Sequence, residues 1–151
     1  MNWNQNKSVM LSKICVVFFA LLLLAADIGC YWAVEYFLSV SKTLGGVWDG
    51  ILLMAVVYAC SIPAWITLKS LWNILVRIGQ GNVFVAENVR DMRRTSWCCM
   101  IVAVICLLGT GFYLTLLVMA VAAAFMGLIV RIVKNIFAQA VSMKDELDFT
   151  V

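Results

Sequence analysis

The sequence contains no histidine, only one proline, and only 13% charged residues in a chain of 151. Without histidine, it lacks the side chain that most often serves as a general base or metal ligand near neutral pH. Its six cysteines include no Cys-x-x-Cys pair, so the spacing typical of zinc, haem and iron–sulfur sites is missing too. No nucleophilic serine motif or phosphate-binding loop occurs. We therefore expect no enzyme activity, no metal site and no cofactor.

Apolar residues dominate what is present. The chain is 65% hydrophobic, whereas soluble domains are about 45–50% apolar. Its mean hydropathy is +1.02. A soluble domain of this size would have no way to bury so much apolar surface, so we expect the chain to reside in a lipid bilayer. The net charge of +3 is small and no basic helix has a free polar face, so direct nucleic-acid binding is not expected.

The apolar residues form four runs, which predict an all-α membrane protein with a single four-helix transmembrane domain over residues 1–151. The first run is longer than the 7–15 residues or so of a signal-peptide core, so we expect an uncleaved anchor. A turn at 109–111 separates the third and fourth runs, although one long helix with a re-entrant stretch is an alternative. The expected spans are about 14–38, 47–68, 96–112 and 114–137.

Two local signals lie in and after the second run. Pro63 removes a backbone donor and is expected to bend the helix, and Ser61 lies close enough in sequence to satisfy the freed carbonyl. The glycines at 79 and 81 break the helix that follows. From Ala86 the pattern is helical again and continues into the third span, with possible i,i+3 ion pairs between Glu87 and Arg90 and between Asp91 and Arg94. This predicts an amphipathic segment between the second and third helices.

The distribution of cations predicts the orientation. With four spans, the N-terminus, the middle loop and the C-terminal side carry ten of the eleven Lys and Arg residues, and Lys42 alone falls on the opposite side. Cytoplasmic loops are enriched in Lys and Arg. We therefore expect both termini and the middle loop to be cytoplasmic.

Asp27 is the only carboxylate well inside a predicted span. An ionisable group at that depth costs about 2.5–3.5 kcal/mol on insertion scales, which makes it a functional candidate. It can stay protonated, or it can bond to Ser61 or Thr115. Proton coupling and a simple hydrogen bond between packed helices are both open.

Small residues recur along the fourth span at positions 120, 123, 124 and 127. Such spacing lets helix backbones approach closely. It predicts tight packing, either within the bundle or in a homo-oligomer.

The arginines at 90, 93 and 94 precede the third span. They suit topology anchoring and lipid-headgroup contact, or docking of an acidic partner or of the chain's own acidic tail. Candidate partner-contacting residues are Phe84, Glu87, Asn88, Arg90, Arg93, Arg94, Asp145, Glu146 and Asp148.

Residues 84–93 read Phe-Val-Ala-Glu-Asn-Val-Arg-Asp-Met-Arg, and residues 144–151 read Lys-Asp-Glu-Leu-Asp-Phe-Thr-Val. Both segments resemble those of a bacterial membrane family, Domain of Unknown Function 2975. Its members commonly show Phe-x-x-Glu-Asn-x-x-x-Leu-Arg before the third span and end in Lys-Glu-Glu-Asn-Asp-Leu-Thr-Ile. Met92 and Leu147 depart from that pattern. The resemblance implies four spans, a prokaryotic inner membrane and no established activity.

Members of that family are often encoded beside a small helix-turn-helix regulator. The resemblance therefore suggests a non-enzymatic membrane partner or sensor that binds a cytoplasmic regulator. The alternative hypothesis is a small transporter or channel subunit that uses Asp27.

Overall fold

The structure is a computed structural model that describes residues 3–40, 47–111 and 113–149. This part of the chain folds into four α-helices, each long and apolar enough to cross a membrane. This confirms the prediction of an all-α chain with four helices that can span a membrane. The helices are α1 Trp3–Val40, α2 Val47–Gly79, α3 Ala86–Gly109 and α4 Thr115–Phe149.

The helices extend well past the apolar runs. α2 has 33 residues and α4 has 35, and a helix of that length measures about 50 Å against about 30 Å of hydrocarbon. The amphipathic stretch expected between the second and third helices is shared between the last turns of α2 and the first turns of α3. Only residues 80–85 lie outside helices there. The acidic tail likewise continues α4 as far as Phe149.

α2 remains one helix through Pro63. The hydroxyl of Ser61 shares its one hydrogen between the carbonyl oxygen of Val57, at 3.2 Å, and Asp27 Oδ1 on α1. The sequence suggested instead that it would satisfy the carbonyl freed by the proline, which is that of Ala59. A serine hydroxyl in a helix reaches the carbonyl four residues earlier, and Ala59 is only two residues away.

The break after α2 is a Schellman motif. Gly81 has φ 85°, a left-handed conformation that favours glycine. Its N–H donates to the carbonyl of Ile78 at 3.0 Å, and the N–H of Asn82 donates to that of Arg77 at 3.0 Å. These bonds satisfy the last carbonyls of α2 and reverse the chain.

The helices pack in chain order, α1 on α2, α2 on α3 and α3 on α4. Within the described residues, no other pair of helices brings Cα atoms within 8 Å. The four-helix bundle is therefore open between α1 and α4. An apolar cleft of about 510 Å³ lies there, lined by α1, α2 and the start of α4.

The small residues of α4 serve packing within the chain. Gly127 is buried, and its carbonyl accepts a 3.0 Å hydrogen bond from Ser96 on α3. A Cβ at position 127 would lie 3.2 Å from both Cys99 Cβ and Met100 Sδ. Ala120, also on this helix, is 4% exposed. Close approach of α3 and α4 thus leaves little room for a side chain at position 127.

Candidate functional site

Antiparallel packing gathers the charged ends of all four helices at one end of the molecule. A Cβ at Gly79 would lie 3.4 Å from Lys13 Nζ, which places the start of α1 beside the end of α2. The rings of Phe84 and Phe137 lie 5.7 Å apart, which places the α2–α3 turn beside α4. We call this the polar end. Ten of the eleven Lys and Arg residues lie toward it: Lys7, Lys13, Lys69, Arg77, Arg90, Arg93, Arg94, Arg131, Lys134 and Lys144.

A buried polar cluster joins α2 to α3 at the polar end. Arg77 on α2 donates from Nη1 to Asp91 Oδ2 at 2.6 Å and to Asn88 Oδ1 at 3.2 Å. Asn88 is completely buried, and its Nδ2 donates to the carbonyls of Asn82 and Val83 at 3.2 and 2.8 Å. One side chain of α3 therefore closes the turn and also orients the arginine of α2.

The cluster stabilises a charge that is removed from water. The side chain of Asp91 is 4% exposed and that of Arg77 is 28% exposed. A buried carboxylate is tolerated only when cations and donors surround it, and Asp91 meets both Arg77 and, at 3.5 Å, Arg94. The result is a fixed geometry between α2 and α3.

Several candidate partner-contacting residues face outward from this cluster. Glu87, Arg90 and Arg93 are exposed, and the side chain of Arg94 is 59% exposed although it pairs with Asp91. The predicted i,i+3 pair between Asp91 and Arg94 is present, whereas Glu87 and Arg90 form no ion pair. Within the described residues, Arg90 and Arg93 have no acidic partner.

Other candidate residues have different surroundings. Asn88 is unavailable to a partner because it is buried and already bonded within the chain. Phe84 packs against Phe137 and remains 45% exposed. Glu146 is exposed near the end of α4, while the side chains of Asp145 and Asp148 lie outside the described residues.

Asp27 meets three donors from one face of α2. Its Oδ1 accepts from the hydroxyl of Ser61, and its Oδ2 accepts from Trp65 Nε1 at 3.0 Å. The hydroxyl of Tyr58 donates to the backbone carbonyl of Asp27 at 3.1 Å. Ser61 was one of the two partners that the sequence suggested, while Thr115 forms no such bond. These contacts fasten α1 to α2.

A family model described as a protein of unknown function (DUF2975) matches residues 14–151. The chain belongs to the DUF2975 family. Neither a curated protein nor a solved structure matches it. In this DUF2975 member, the segment 84–93 that carried the resemblance also builds the α2–α3 turn and the buried polar cluster. Part of the family pattern therefore has a structural role.

Sequence reasoning missed three residues of these sites. In the sequence, Arg77 is only one of the cations that predict the orientation and Asp91 only a local partner of Arg94, and no contact between Trp65 and Asp27 is predicted. One signal was available, since Asn88, Asp91 and Thr95 recur on one face of α3, opposite the exposed arginines. A polar face buried inside a transmembrane hairpin indicates a partner on the neighbouring helix.

Proposed function

We propose that this DUF2975 member is a non-enzymatic, multi-pass protein of a bacterial cytoplasmic (inner) membrane that binds a cytoplasmic regulator. One observation carries the proposal. Glu87, Arg90 and Arg93, which are exposed and have no ion-pair partner within the described chain, stand on a framework fixed by the buried polar cluster of Arg77, Asn88 and Asp91. Exposed charges on a preorganised framework are typical of a recognition surface, because little ordering is needed on binding.

The orientation follows from the clustered cations. The polar end holds ten of the eleven Lys and Arg residues, and positive charge is retained on the cytoplasmic side of bacterial membranes. Both termini and the α2–α3 turn then face the cytoplasm. A soluble regulator has access to them there.

The docking surface, as we define it, consists of Glu87 and Arg90, and Arg93 and Arg94 form its membrane edge. Family membership supports a small helix-turn-helix transcription factor as the partner, because members are often encoded beside one. The surface offers charges of both signs, which favours a partner of complementary charge pattern.

Co-purification tests the proposal. The chain, solubilised in mild detergent from its own host, is expected to bring down a small DNA-binding protein identified by mass spectrometry. The double substitution Glu87→Lys, Arg90→Glu keeps the net charge but reverses the pattern, and it is expected to abolish capture. The control is Arg131→Glu, an exposed charge reversal on α4 outside the docking surface, which lowers the net charge by two and so also tests for a dependence on overall charge. Equal capture by the wild type and the double variant would contradict the proposed surface, and capture of no DNA-binding protein would contradict the proposed partner.

The transporter or channel alternative has less support. Both carboxylate oxygens of Asp27 accept hydrogen bonds from α2, which is the arrangement expected of a packing contact between helices. Proton or ion flux into reconstituted vesicles that disappears in Asp27→Asn would restore this alternative.

A further inference from the structure

The outward face of α3 runs from the polar end into the membrane without interruption. At about 100° per residue, seven of its side chains fall within an arc of about 100°. Four of them are apolar, with exposures of 59% for Trp97, 48% for Ile101, 53% for Val104 and 74% for Leu108. The other three are the arginines at 90, 93 and 94. The opposite face carries the buried residues, including Asn88, Asp91, Thr95 and Cys106.

The cationic top of this face has an excess of positive charge. Arg90 and Arg93 have no acidic partner among the described residues, and Arg94 shares Asp91 with Arg77. A guanidinium group donates two parallel hydrogen bonds to the oxygens of a phosphate. These arginines therefore suit a phosphate that brings no cation of its own.

The apolar part of the face has the dimensions of a single leaflet. Trp97 lies one helical turn below Arg93, and tryptophan favours the boundary between headgroups and hydrocarbon. From Trp97 to Leu108 the helix rises about 16 Å, close to half of the hydrocarbon thickness of about 30 Å. An acyl chain beneath a phosphate at Arg93 would follow these side chains.

We propose that the outward face of α3 binds an anionic phospholipid, with its phosphate on Arg93 and Arg94 and one acyl chain along Trp97 to Leu108. A zwitterionic lipid binds less well, because its ammonium group adds a cation beside the arginines. A soluble protein fits this part of α3 poorly, because the face continues into hydrocarbon below Trp97. The proposal goes beyond the proposed function and does not depend on it.

Native mass spectrometry of the purified protein tests the proposal. Detergent micelles receive equal amounts of phosphatidylglycerol and phosphatidylcholine, and the lipids retained by the chain are counted. The wild type is expected to retain phosphatidylglycerol preferentially. Arg93→Gln is expected to reduce that retention roughly tenfold, the effect of losing one charge-assisted contact, and Trp97→Ala is expected to weaken retention of both lipids.

Arg131→Gln is the matched control. Arg131 is exposed on α4, one turn nearer the polar end than Gly127, which contacts Ser96. It therefore lies at a depth similar to that of Arg93, and its loss removes the same charge. The control is expected to keep the lipid preference. Arg90→Gln provides a second variant of the face, expected to lower the retention of phosphatidylglycerol.

Three results would overturn the proposal. Unchanged retention in both Arg93→Gln and Arg90→Gln removes the site. An equal loss in Arg131→Gln shows only diffuse attraction to the polar end. Complete displacement of the lipid by inorganic phosphate shows that the headgroup alone is bound and that the acyl contact is wrong. Because no partner protein is present, none of these results bears on regulator binding.

Discussion

Asp91 is a buried carboxylate held between two arginines of unequal exposure. Arg77 donates to it at 2.6 Å from a partly buried position, and Arg94 approaches at 3.5 Å from the exposed face. Buried pairs lose several kcal/mol when one partner is removed, whereas exposed pairs contribute about 0–1 kcal/mol. The two arginines should therefore differ in their effect on stability.

We predict that Arg77→Ala lowers the free energy of unfolding by about 2 kcal/mol, because it leaves the carboxylate and the amide of Asn88 without their shared donor. Arg94→Ala is expected to change it by no more than about 0.5 kcal/mol. Denaturation in mixed detergent micelles measures both. Similar losses in the two variants would show that the buried cluster does not differ energetically from a surface pair.

At the scale of elements, the spacing between α3 and α4 depends on the absence of a side chain at Gly127. A Cβ there would meet Cys99 Cβ and Met100 Sδ at 3.2 Å, whereas a Cβ at Gly29 on α1 would meet nothing within 4 Å. We predict that Gly127→Ala costs about 1–3 kcal/mol through overpacking and lengthens the Ser96 hydrogen bond. Gly29→Ala is expected to leave stability unchanged or raised. The same mixed-micelle denaturation compares the two, and equal effects would contradict the packing account.

The docking of α1 depends on Asp27. In the described residues, α2 is the only helix whose Cα atoms come within 8 Å of those of α1, and Asp27 accepts side-chain hydrogen bonds from Ser61 and Trp65. Hydrogen bonds between membrane helices contribute about 0.6 kcal/mol each, so losing two shifts an opening equilibrium roughly sevenfold. We predict that Asp27→Ala loosens α1 from α2 without unfolding the chain.

Labelling of Cys30 reports this loosening, because Cys30 is 3% exposed on α1. In a chain whose other cysteines are alanine, a membrane-permeant maleimide is expected to react several times faster with Cys30 when Asp27 is replaced by alanine. Glu35→Ala removes an exposed acid from the same helix and should leave the rate unchanged. An unchanged rate in the Asp27 variant would show that apolar packing alone holds α1.

At the scale of the whole molecule, ten of the eleven Lys and Arg residues lie toward one end, which predicts one orientation in the membrane. In a cysteine-free chain, Gln80→Cys in the α2–α3 turn and Met143→Cys near the end of α4 should resist an impermeant thiol reagent in intact cells. Trp48→Cys, at a position 78% exposed near the opposite end, should react. Labelling at position 80 from outside intact cells would show that the orientation is the opposite one. The docking surface would then lie out of reach of any cytoplasmic regulator.

Much of the fold followed from local patterns. The four apolar runs predicted the four helices, and the helix starting at Ala86 and the break near Gly81 were found where the pattern placed them. The helix that follows the second run was predicted as far as the glycines at 79 and 81. However, α1 begins before the first run and α4 continues past the fourth, because hydropathy detects the part of a helix in contact with lipid and not the turns that continue into water. Asn88 was assigned to the surface, because its contacts with the turn and with Arg77 depend on two helices meeting.

Local patterns of hydropathy and charge were enough to predict the solvent, the number of helices and the end at which the cations collect, because both act segment by segment along the chain. Three features became visible only once the helices were packed: Asn88 is internal, Trp65 and Ser61 both donate to Asp27, and α1 and α4 stay apart. Those features depend on the rotation and depth of each helix against its neighbour. That alignment results from the packing of many side chains at once, such as the close approach at Gly127, and no single segment encodes it.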